Sequence, residues 1–151
     1  MGMHNEGIFP PALFERVSRA VEEAERLTSA EIRVHIEDEC YEEVMDRAAY
    51  IFAELGMHRT ERRNGVLVYV AVDHRKLAII GDVGISSRVA YDFWSSTRDY
   101  MVQSFAAGRY EEGLCYAVGQ AAQKLSEFFP PAAGDINELP NAPSTRRRKS
   151  P

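Results

Sequence analysis

The stretch Val66-Leu67-Val68-Tyr69-Val70-Ala71-Val72 is unbroken in its apolar character and rich in β-branched side chains. A strand with one face in water would alternate, and this run does not. It therefore fits a central strand covered on both faces. Asn64-Gly65 precedes it and Asp73-His74-Arg75 follows, residue types that favour turns. Beyond that turn, Lys76 to Ile80 reads as an antiparallel hairpin partner, closed by Gly81-Asp82-Val83-Gly84.

Upstream, Glu31 to Glu37 alternates strictly. Ile32, Val34 and Ile36 face one way and Arg33, His35 and Glu37 the other, which predicts a half-covered strand with His35 at the surface. Between the two strands, Val44, Ala48, Ile51, Phe52 and Leu55 recur at helical spacing, with Gly56 placed as the C-terminal cap. Strand, helix and strand in this order make a βαβ unit with parallel strands and a right-handed crossover. An earlier stripe from Leu13 to Leu27, opened by Pro10 and Pro11, predicts a first helix. After the hairpin, Val89, Phe93, Met101 and Phe105 mark another, with Ser86 or Ser87 as its cap. Tyr110 to Phe128 gives a last stripe, stopped by Pro130-Pro131.

The expected fold is α/β: a three-layer-like sandwich in which a small mixed sheet, the βαβ unit plus an antiparallel hairpin, is covered by helices on both faces. A chain of 151 residues is the size of one domain. Residues 12–130 are expected to form it, with an N-terminal extension over 1–11 and a flexible tail over 131–151, where Pro, Ala, Asn and Ser accumulate.

The formal charge is −5, and Arg146, Arg147, Arg148 and Lys149 sit together near the C-terminus, which leaves −9 for the remainder. An acidic body is a poor partner for nucleic acid, whose affinity comes largely from phosphate neutralisation. A cation suits it better. Cys40 and Cys115 have no knuckle spacing, so two thiols in a reducing compartment are expected. The first residues show no signal-peptide pattern, and no apolar run approaches the ~20 residues that span a bilayer. The expected location is cytoplasmic, without a transmembrane anchor.

The topology brings Glu31, Asn64-Gly65 and Asp82 to one edge of the sheet and Glu37, Asp38, Glu39, Asp73 and Arg75 to the other. Glu31 and Asp82 with the Asn64 amide could form a hard-cation site, since calcium and magnesium are held by oxygens. The alternative is that Glu31 pairs with Arg33 or Arg63 and Asp82 caps a turn. His4, His35, His58 and His74 are scattered, without the clustering zinc needs. Neither cysteine has an arginine at phosphatase-loop spacing, and Gly81-x-x-Gly84 lacks the lysine of a phosphate cradle.

Three segments resemble one family. Thr28-Ser29-Ala30-Glu31-Ile32-Arg33-Val34 is similar to the TS(G/A)EIRV signature of TPM-domain proteins, Arg63-Asn64-Gly65-Val66-Leu67 to their NNGVL strand entry, and Gly81-Asp82-Val83-Gly84-Ile85 to their glycine-rich strand exit. Phe93-Trp94 and Asp135 to Pro140 resemble stand-alone bacterial members. Arg63 stands where many relatives have a first Asn, and Glu6 is the nearest acidic residue before the first helix. The resemblance implies a divalent-cation site and a phosphatase activity reported for the family. It favours calcium, or magnesium, at Glu31, Asn64 and Asp82. No residue set reads as nucleophile plus general base, which favours a non-catalytic module that docks a protein or peptide partner. Its alternative is a weak metal-linked acid phosphatase with a metal-activated water and Arg62 or Arg63 as phosphate clamp. Asp135 and Glu138 could fold back over this site, although a solvated tail is the simpler expectation.

Overall fold

The computed structural model describes residues 9–131 and 142–148 of the chain. Its order is α1 (Pro11–Leu27), β1 (Glu31–Glu37), α2 (Val44–Glu54), a 3-10 turn (Met57–Arg59), β2 (Gly65–Ala71), β3 (Lys76–Gly81), α3 (Val83–Ser86), α4 (Tyr91–Ala106), α5 (Tyr110–Leu125) and β4 (Ser144–Arg146). The sheet runs β3-β2-β1-β4. β1 and β2 are parallel, as the crossover requires, and β3 returns antiparallel to β2.

The apolar run behaves as its composition dictates. Every residue of β2 is buried. Val66, Val68 and Val70 join the larger core, with Val17 and Val21 of α1 and Leu114, Val118 and Leu125 of α5. Leu67, Tyr69 and Ala71 enter a second core, with Ala48, Ile51 and Phe52 of α2 and Met57 of the 3-10 turn. Helices therefore cover both faces of a mixed sheet, the expected three-layer arrangement. Gly56 ends α2 at φ +73°, the left-handed conformation that a helix C-terminus reserves for glycine.

Three expectations need correction. His35 is 2% exposed and Glu37 0%, so the second face of β1 is closed. Arg47 from α2 and Tyr69 from β2 meet Glu37 there, and Ser144 of β4 meets His35. Neither Ser86 nor Ser87 caps the long helix: Ser86 ends α3, Ser87 is its C-cap, and α4 begins after Ala90 with no side-chain cap. The segment from Ser144 to Arg146 is a strand, not a flexible tail. It pairs in parallel with the edge of β1, where unpaired backbone groups offer a template for one more strand. The calls on His4, Glu6, Asp135, Glu138 and Lys149 lie outside the described residues.

Candidate functional site

The edge predicted to gather Glu31, Asn64 and Asp82 does gather them. Glu31 stands opposite Gly65 in the parallel ladder, and its N–H donates to the Asn64 carbonyl at 3.2 Å. On the other side the Asp82 N–H donates to the Gly65 carbonyl at 2.9 Å. The three residues thus occupy the ends of three neighbouring strands. All are buried, with Glu31 and Asp82 7% exposed and Asn64 3%.

Local chemistry fixes Asn64 and Asp82. The Asn64 N–H donates to Thr60 Oγ1 at 3.1 Å, and its side-chain amide reaches the Ser29 carbonyl at 3.5 Å. Asp82 is the N-cap of α3, accepting the Val83 N–H at 2.7 Å. Gly84 shows how tightly that turn is seated: a Cβ there would lie 2.4 Å from the Arg62 carbonyl oxygen and 2.6 Å from that of Arg63. The glycine instead lets its own N–H donate to the Arg63 carbonyl at 2.9 Å.

Arg63 adopts φ +52°, a region where Asn and Asp are enriched and long side chains uncommon. From it the guanidinium forks onto Asp82, Nε to Oδ2 at 2.7 Å and Nη2 to Oδ1 at 2.8 Å. That bidentate contact holds the Arg63 guanidinium above its ordinary pKa. The side chain remains 49% exposed, so it lies over Asp82 as a cover open to water on one side. Arg62, the other candidate clamp, is exposed.

Two observations bear on whether these residues could hold a hard cation. Asp82 already holds a positive group, the Arg63 guanidinium, across both carboxylate oxygens. Ser29 Oγ, on the residue whose carbonyl faces Asn64, is buried without a hydrogen-bond partner among the described residues. Such an orphan marks room for an ion or a water. The set is small, however: among the described residues no three His, Cys, Asp or Glu side chains are grouped as ligands.

The opposite end of the sheet holds a polar network that the sequence only partly betrays. Glu37 accepts from Arg47 Nε at 2.9 Å and Nη2 at 3.1 Å, from the Tyr69 hydroxyl, and lies 3.0 Å from His35 Nε2. Burial pushes the Glu37 carboxyl up, but these contacts outweigh it and hold it down at about 2. Burial lowers His35, against the pull of Glu37. Burial and the Glu37 hydrogen bond both raise the Tyr69 phenol. Arg47 and Tyr69 were missed as site residues. Their signals were a guanidinium on the apolar stripe of α2 and a lone hydroxyl inside the run of β2.

The TPM-domain family model matches residues 3–124, a span that includes all three motifs of this architecture. The chain belongs to the TPM family. Among solved structures, the BA42 protein of the psychrophilic bacterium Bizionia argentinensis is 38% identical, with a TM-score of 0.86 over 93% of this chain and 97% of that one. The N-terminal domain of a P. gingivalis protein is 22% identical, covering 80% of this chain and 78% of its own, with a TM-score of 0.64. That of cg2496 from Corynebacterium glutamicum is 9% identical at the same TM-score, over 84% and 80%. At such identities these last two speak for the fold alone. No curated protein matches the chain. The TPM motifs Thr28–Val34, Arg63–Leu67 and Gly81–Ile85 coincide with the segments that bring Glu31, Asn64 and Asp82 together. No helix among the described residues is long and apolar enough to cross a membrane.

Proposed function

We propose that this TPM domain is a non-catalytic binding module that takes a divalent cation, calcium or magnesium, at Glu31, Asn64 and Asp82. The observation that carries the reading is the Arg63 guanidinium laid across both Asp82 oxygens at 2.7 and 2.8 Å. A half-exposed arginine can rotate into water and leave the carboxylate to an ion. Glu31 and Asp82 would supply anionic oxygens, Asn64 an amide oxygen, and water the rest of the shell. A bound ion would brace the ends of β1, β2 and β3 against one another, and so stiffen an edge on which a protein or peptide could dock.

The phosphatase alternative, with a metal-activated water and Arg62 or Arg63 as clamp, draws less support. Glu31, Asn64 and Asp82 offer no nucleophile paired with a general base, and an ion that displaced Arg63 from Asp82 would free its fork for phosphate without supplying one.

Calorimetric titration of calcium and of magnesium into metal-stripped full-length protein tests the proposal. One saturable site in the wild type, lost in Asp82→Asn with the fold intact, is the expected result. Equal binding by wild type and Asp82→Asn would remove the site from this edge. Turnover of an aryl phosphate that Asp82→Asn abolishes would favour the enzymatic alternative.

A further inference from the structure

β4 lies at the other end of β1, and what holds it there is specific. It adds in parallel, with His35 opposite Ser144, Ile36 opposite Thr145 and Glu37 opposite Arg146. None of its three residues is fully buried, so apolar contact contributes little. Side-chain recognition is dense instead. Ser144 Oγ lies 2.7 Å from His35 Nδ1. Arg146 Nη2 donates to Glu54 at 2.5 Å, and Arg147 Nε to Asp38 Oδ2 at 3.3 Å. Arg148 forks onto both oxygens of Glu42 at 2.9 and 3.0 Å, and its backbone N–H donates to Asp38 Oδ1 at 2.5 Å. Its guanidinium also lies over the Tyr41 ring, 5.6 Å from the centroid.

Each arginine therefore meets a different carboxylate first, drawn from three places: the residue after β1 (Asp38), the loop that follows (Glu42) and α2 (Glu54), with Arg148 also 3.6 Å from Glu37 and Glu42 shared with Arg47. Main-chain pairing with an edge strand combined with separate side-chain partners is how sheet edges recognise extended peptides. Here the seated peptide shows the reading frame, Ser-x-Arg-Arg-Arg over Ser144 to Arg148. So short a segment can hold its place because it belongs to the same chain, and an intramolecular partner acts at an effective concentration on the order of millimolar.

We propose that the β1 edge with Asp38, Glu42 and Glu54 is a docking groove for an extended, arginine-rich segment of a partner protein, and that residues 144–148 are its intramolecular competitor. Charge complementarity argues for this occupant, since the chain without its four C-terminal bases carries −9. Geometry argues for arginine in particular: Glu42 is met by a bidentate fork that a lysine ammonium cannot reproduce. The groove is independent of the proposed cation site, which lies at the other end of β1.

The test uses full-length protein carrying Arg147→Glu and Arg148→Glu, an exposed position and one whose side chain is 19% exposed; their change dislodges the competitor. A labelled peptide Ala-Pro-Ser-Thr-Arg-Arg-Arg-Lys is titrated in and followed by fluorescence anisotropy. The variant is expected to bind one peptide saturably, the wild type at least tenfold more weakly, and a lysine-for-arginine peptide tenfold more weakly again. Amide exchange over residues 35–38 is expected to slow when the peptide binds. No binding to the variant, or equal binding of the lysine peptide, overturns the proposal. So does wild-type protein that dimerises by exchanging β4 between copies, which would give the groove to a second copy. Should the charge reversals disturb folding, Arg147→Ala with Arg148→Ala takes their place with the same expectations.

Discussion

Arg47 presents its guanidinium fork to both oxygens of Glu37, at 2.9 and 3.1 Å, with neither side chain more than 6% exposed. The pair links α2 to the end of β1 inside an otherwise apolar layer. A buried ion pair of this kind is weak evidence of net stabilisation, because desolvation offsets much of its attraction. Breaking it is another matter.

Arg47→Met keeps the volume on α2 and leaves the Glu37 carboxylate buried with His35, Tyr69 and the more distant Arg148 guanidinium. With Arg148 still 3.6 Å from Glu37, the substitution is expected to destabilise the domain by about 2 to 4 kcal/mol, read as a shift in the urea midpoint. A loss below ~1 kcal/mol would mean that water reaches Glu37 and solvates it.

Tyr69→Phe removes one hydroxyl donor to the same carboxylate without creating a cavity. The expected cost is about 1.5 to 3 kcal/mol, the range for a hydrogen bond to a charged group. It should also raise the Glu37 pKa, detectable by carboxyl carbon shifts in an NMR titration. An unchanged Glu37 titration would contradict the network as described.

The pH dependence has one sign for both titrating members. Glu37 is held at about 2 against an ordinary 4.5, so its contribution of roughly 3 kcal/mol is present above pH 5 and lost as pH falls towards 2. His35 is also lowered, by burial. Its unfolded form gains a proton first, so stability begins to decline below about pH 6.5. Urea midpoints measured from pH 8 to pH 3 should fall in two stages. In His35→Gln the upper stage should disappear, and its persistence would assign it to another group.

Much of the fold was legible because patterning and topology agree. An unalternating β2, a helical stripe between two strands and Gly56 in place as a cap left few alternatives for the sheet. The Glu31–Asn64–Asp82 edge followed from strand direction alone. What was not legible depended on long-range partners. The alternation in β1 predicts an open face at His35 and Glu37, and only Arg47, Tyr69 and β4 close it. The basic C-terminal segment has a tail-like composition, and its strand character comes from carboxylates more than ninety residues away in sequence. Sequence alone offers Arg63 as a phosphate clamp or as a partner of Glu31, and its fork onto Asp82 depends on a positive φ that no pattern announces.

Gly84→Ala probes the packing behind that partnership. A methyl group would meet the Arg62 and Arg63 carbonyl oxygens at 2.4 and 2.6 Å, backbone atoms that cannot rotate away. The α3 turn must then move off the Arg62–Arg63 segment, at an expected cost of about 1 to 3 kcal/mol. Thermal unfolding of the variant reads it directly. An unchanged midpoint would show that the turn is loosely seated.

On the reading we claim for this site, Arg63 occupies the place of a cation on Asp82. The most direct measurement is a calcium titration of Arg63→Asn followed by amide shifts in nitrogen–proton NMR spectra, beside the wild type. If the claim holds, shifts concentrate at Glu31, Asn64, Gly65, Asp82 and Val83, and the variant saturates at roughly tenfold lower calcium, because no guanidinium has to be displaced. If those amides stay still in both proteins up to millimolar calcium, Asp82 is a structural cap paired with arginine, and the cation site does not exist in this chain.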